Sequence, residues 1–144
     1  MPAEKSLFRS TTLLLFALVM SLIAIRTSEA MSSKTYVVIG TEPIAAENSI
    51  AGARNQAITN SLVTAVGLAV ADSLPVDAMV NRYEKLNQQI YENPAQFVQD
   101  YKVLTESQQA NRYRVMVQAT VSGDRIQSEL TQSGILQIQK PMPS

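Results

Sequence analysis

Tyr113-Arg114-Val115-Met116-Val117-Gln118-Ala119-Thr120-Val121-Ser122 is the stretch that decides the fold. Tyr113, Val115, Val117, Ala119 and Val121 occupy every second position, with Arg114, Gln118, Thr120 and Ser122 between them. Successive side chains of a strand point to opposite faces, so this pattern makes a strand with one face on a core and one in water. Upstream, Phe97, Tyr101 and Val103 alternate with polar neighbours and are expected to point one way. The break from Gln108 to Asn111 is short, so the two runs read as an antiparallel hairpin. Asp100, Lys102, Glu106, Arg112 and Arg114 are expected around its solvent side.

Working outward, Gly123 to Gln132 reads as a closing helix with Ile126 and Leu130 on its apolar face and Gly134 as its C-terminal cap. The tail, Ile135 to Ser144, holds two prolines and little to pack, and reads as a short edge strand or a linker. Before the hairpin, Ile50, Ala53, Ala57, Ile58, Leu62, Ala65, Val66 and Ala69 recur at three- and four-residue steps, which makes one helical stripe. Asn48 or Ser49 can cap that helix, Gly67 marks close packing, and Pro75 ends it by Leu74. A second helix opens at Pro75 and carries Val76, Met79, Val80, Tyr83, Leu86 and Ile90, with Asn87 as a polar break, before the turn at Asn93-Pro94. Tyr83, Tyr91, Tyr101 and Tyr113 are expected in the core or at its edge. Lys34 to Ile39 is a strand apolar on both faces, so cover on both sides is expected, with Gly40 to Pro43 breaking it. The order is strand, helix, helix, strand, strand, helix. The economical fold is α+β: a two-layer sandwich with helices on one face of a small, mainly antiparallel sheet, spanning residues 31–134.

The N-terminus reads as an address. Lys5 and Arg9 precede an apolar run from Leu13 to Ile25 interrupted only by Ser21, and Ser28-Glu29-Ala30 supplies small residues at a peptidase site. The run is shorter than the roughly 20 residues that span a bilayer. Residues 1–30 are therefore expected to be a signal peptide cleaved after Ala30, the alternative being an uncleaved anchor held by Arg26. The chain has no cysteine, hence no disulfide, lipobox, thiolate nucleophile or cysteine metal site, and a Gram-negative periplasm is the expected compartment.

Composition closes further classes. The 12 basic and 12 acidic residues cancel, and no basic stripe suits a nucleic acid. No histidine is present to act as general base or metal ligand, and no tryptophan to stack on sugar. The serines lack a histidine to activate them, and no glycine-rich phosphate loop occurs. No catalytic residue, cofactor or metal is expected. Asp72 and Asp77 flank the helix break, and a role at the helix terminus suits Asp77 better than catalysis.

Several strings resemble the N-terminal domain of flagellar assembly protein T: Ala53-Arg54-Asn55-Gln56-Ala57-Ile58, Phe97-Val98-Gln99-Asp100-Tyr101-Lys102-Val103-Leu104-Thr105-Glu106, and Tyr113 to Val121. The resemblance spans about Ala51 to Leu130. It implies an exported bacterial envelope protein, and in that family the domain is one module of a larger protein that helps build the ring around the flagellar basal body. The present chain stops at Ser144, so the narrower expectation is a non-catalytic assembly or adaptor domain with a protein partner of the envelope. The other reading is a protein that binds an envelope ligand such as peptidoglycan.

Two surfaces are singled out. Asp100, Lys102, Glu106, Arg112 and Arg114 form either a partner surface or a solvated face, and Arg114 and Lys102 are placed to pair across strands with Asp100 and Glu106. A free strand edge is either a further docking point or an edge that these same charges guard. Arg54 either contacts a partner or lies along the core edge with its charge in solvent or paired locally.

Overall fold

The computed structural model describes residues 32–47 and 49–136. The expected leader, its cleavage point after Ala30 and the tail beyond residue 136 lie outside the described residues. The elements are β1 (Ser33–Pro43), α1 (Ile50–Ser73), α2 (Val76–Asn81), α3 (Tyr83–Leu86), a π turn (Asn87–Tyr91), a 3-10 turn (Pro94–Gln96), β2 (Val98–Gln109), β3 (Arg112–Ser122) and α4 (Gly123–Gln132). The three strands form one antiparallel sheet in the order β1-β3-β2. This is the expected α+β architecture.

Strand β3 lies at the centre, paired with β1 along one edge and β2 along the other, while its alternation decides which face is buried. Tyr113, Val115, Val117, Ala119 and Val121 are all buried, as the pattern predicts. They face α1, which packs on β1 and β3. Helix α1 starts where Ser49 accepts a hydrogen bond from the Gly52 amide, and stops at Leu74, which the following proline holds extended. Its buried stripe runs from Ala53 to Val70 and includes Ser61, whose hydroxyl donates to the Ile58 carbonyl at 2.6 Å. Ile50 is exposed, outside the stripe it was expected to begin.

The close approach of helix to sheet occurs at Gly40 and not at Gly67. A Cβ on Gly40 would lie 1.9 Å from the Ala57 carbonyl oxygen, whereas one on Gly67 would meet nothing within 4 Å. Gly40 therefore does not break β1. The strand runs through it to Pro43, and the missing side chain is what lets α1 lie down.

The second helix is not continuous. Arg82, with φ −119° and ψ 16°, separates α2 from α3, and the π turn then adds a residue to the turn. Both shift the phase of the apolar stripe. Leu86 and Ile90 are fully buried and Met79 partly so, but Val76, Val80 and Tyr83 face solvent, Val80 being 71% exposed. Tyr113 is buried, Tyr91 half-buried and Tyr101 exposed at the margin of the helix layer.

Helix α4 is capped by the buried Ser122, which accepts from the Arg125 amide; Ser122 is thus not on the solvent face. Gly134 takes φ +70° after the helix, and the amides of Ile135 and Leu136 both donate to the Leu130 carbonyl. Ile135 is buried and Leu136 partly buried, so the domain extends past residue 134 into the segment expected to be a tail.

Candidate functional site

The sheet has a covered face and a bare one, and strand register decides which residue stands on each. Opposite residues of paired strands share a face. On β3 the bare face carries Arg112, Arg114, Met116, Gln118 and Thr120. Their β1 partners are Pro43, Thr41, Ile39, Val37 and Thr35. Their β2 partners are Gln109, Ser107, Thr105, Lys102 and Asp100. Four of the five residues expected on the solvent side, Asp100, Lys102, Arg112 and Arg114, thus share this face and are exposed.

Glu106 is exposed as well but does not share the face. It stands opposite the buried Val115, on the helix side. Strand β2 slips register twice, between Val98 and Asp100 and between Val103 and Thr105. Unbroken alternation from Tyr101 and Val103 would turn Glu106 to the bare face. A bulge at Leu104 shifts the phase by a residue and turns it back.

There Glu106 accepts from Arg54 Nε of α1 at 2.6 Å. Arg54 is half-buried, and this hydrogen bond is the main reason its pKa lies above the ordinary value. Arg54 is therefore paired locally, joining α1 to the edge strand β2. The cross-strand pairs expected between Arg114 or Lys102 and Asp100 or Glu106 are absent: the ion pairs among the described residues are Arg54–Glu106 and Lys34–Asp72. Lys102 faces Gln118, Asp100 faces Thr120 and Arg114 faces Ser107, so these charges meet uncharged neighbours across the strands.

The bare face also holds apolar residues. Val37 is 58% and Ile39 52% exposed, with Met116 partly exposed beside Ile39. Cover on both sides of β1 was expected, and the described residues supply it on one. A continuous apolar run looks the same whether its second face is buried or not, so no signal in the run itself distinguishes the two.

At the other end of β1, Asp72 of α1 accepts from Lys34 Nζ at 2.7 Å and from the Tyr36 hydroxyl at 2.6 Å. Lys34 Nζ also lies 5.3 Å from the Tyr36 ring centroid. The bond from Lys34, then that from Tyr36, holds the Asp72 carboxyl below its ordinary range. Partial burial, reinforced by Asp72, raises the Tyr36 phenol. Asp72 thus ties α1 to β1, a role its sequence position did not suggest, while Asp77 lies in the first turn of α2. Among the described residues no three potential ligands converge on a metal position, and no helix is long and apolar enough to cross a membrane.

No family model matches the chain, and neither does any curated protein or solved structure.

Proposed function

We propose that this chain is an exported, non-catalytic interaction module that docks a protein partner of the bacterial envelope during assembly of a surface machine such as the flagellar basal body. The observation that carries the reading is the bare sheet face. It combines exposed Val37 and Ile39 with Asp100, Lys102, Arg112 and Arg114, whose charges have no ionic partner within the described residues. Apolar surface rimmed by charge is the composition of a protein-docking patch. The leader-like N-terminus and the strings that resemble the flagellar assembly protein T domain support the compartment and the process.

Cross-linking in the periplasm followed by affinity capture and mass spectrometry tests it. Enrichment of a basal-body or other envelope-machine component, reduced by Arg112→Glu with Arg114→Glu in a chain that still folds, is the expected result. Absence of any such component overturns the reading. Sedimentation with purified cell wall would instead favour an envelope-ligand role.

A further inference from the structure

The two edges of the sheet are built differently. Strand β2 carries two register slips and the charges of Asp100, Lys102 and Glu106, devices that discourage a further strand from adding. Strand β1 pairs with β3 without interruption from Ser33 to Pro43, and among the described residues no strand lies on its outer side. Hydrogen bonds at both ends set its phase. The Ile44 amide donates to the Asn111 carbonyl at 2.6 Å, and the Gly123 amide donates to the Ser32 carbonyl at 2.7 Å. Even-numbered residues of β1 therefore bond to β3, and the amides and carbonyls of Thr35, Val37, Ile39 and Thr41 point outward. The Thr41 carbonyl accepts from Asn60 Nδ2 at 3.0 Å.

We propose that this edge pairs antiparallel with β1 of a second copy of the chain, about a two-fold axis at Val38, extending the sheet to six strands. The strand is complementary to itself in that register. Lys34 near one end comes opposite Glu42 of the second copy near the other, and this happens twice. Both stand on the helix side, where Lys34 already holds Asp72 and Glu42 accepts from Asn60. Parallel pairing in register would set like charges together. Val37 comes opposite Ile39 of the second copy, so four exposed apolar side chains form one patch on the bare face. Backbone pairing supplies the affinity and these side chains the register. The inference stands apart from the envelope partner proposed above, because it is read with purified protein alone.

Sedimentation velocity on the purified full chain over a concentration series should show a monomer–dimer equilibrium. Val37→Pro removes an outward amide and no bond to β3, and is expected to weaken the dimer at least about tenfold while the circular dichroism spectrum is kept. The register has its own readout. The chain has no cysteine, and directly opposed residues of a hydrogen-bonded pair lie about 5.5 Å apart at Cα, within disulfide reach. A mixture of Val37→Cys and Ile39→Cys chains should therefore form a disulfide-linked dimer far faster than either alone. A monomer at every concentration, a Val37→Pro chain that associates like the parent, or self-linking of Val37→Cys at the rate of the mixture each overturns the proposal.

Discussion

The two faces of the sheet share three strands and differ in almost everything else. Beneath α1, Val38, Val115, Val117, Ala119 and Val121 are buried together. On the other side Val37 and Ile39 stand in water on the same face as Lys102 and Arg114. Val37 and Val38 are adjacent and chemically identical, so residue type does not explain their fates. The presence of a helix layer on one side does. Stability resides on the covered face, while the bare face keeps Val37 and Ile39 exposed.

The largest test of that contrast is Gly40→Ala. The added Cβ would collide with the Ala57 backbone carbonyl, which cannot swing aside as a side chain can. A loss of about 3 kcal/mol is expected in urea unfolding, the upper part of the usual range for overpacking. Gly67→Ala, with open space around it, should instead be neutral or stabilising by up to about 1 kcal/mol. Equal effects at the two glycines would mean that α1 does not rest on β1 at Gly40.

Next comes a matched pair on opposite faces. Val117→Ala removes two buried methyl groups and should cost about 2 kcal/mol. Val37→Ala should cost at most about 1 kcal/mol, mostly strand propensity, when measured at a concentration where the chain is monomeric. A Val37 loss as large as that of Val117 would show the bare face to be covered within the monomer.

Two turns sharpen the frame around both faces. Gly134 has φ +70° behind α4, so Gly134→Ala should lower stability by about 1 kcal/mol and loosen Ile135 from the core. Ala110 has φ 51° in the two-residue turn between β2 and β3, a conformation that costs an L-residue about 1–2 kcal/mol. Ala110→Gly should therefore raise the thermal midpoint, by a gain smaller than that cost because glycine is freer when unfolded. A fall in midpoint would contradict the turn geometry.

The smallest effect is on pH. Asp72 is held below its ordinary value of 3.8, so the unfolded chain takes up the proton first as acid is added. Its contribution is fully present above that value and fades as the pH falls through the folded-state pKa. Asp72→Asn should flatten the stability profile below about pH 4, read as urea midpoints at pH 6, 4 and 3. Parallel profiles for parent and variant would mean that Lys34 and Tyr36 do not hold the carboxylate in solution.

Much of this was legible in the residues. The period of two in Tyr113 to Val121 reports a half-buried strand wherever that strand is placed, and its five inward residues are all buried. The stripe in α1 from Ala53 onward, the stop before Pro75 and the glycine after α4 are also local signals that read correctly, Ile50 alone falling outside the stripe. The stripe after Pro75 failed because a kink at Arg82 and a π turn changed the helical phase, and neither carries a marker such as proline. Placement on the solvent side was legible for Asp100, Lys102, Arg112 and Arg114. It was not legible for Glu106, because a single bulge at Leu104 inverts every later side chain of β2.

The sequence by itself determined that α1 and α4 are helices, that β2 and β3 form a hairpin and which side of β3 is apolar, because those follow from periodicity within a few neighbouring residues. Only the tertiary structure decided that Val37 is exposed while Val38 is buried, that Arg54 holds Glu106, and that Gly40 bears the weight of α1. Those outcomes depend on which distant segment lies across a residue and in what register. No local pattern of side chains encodes either.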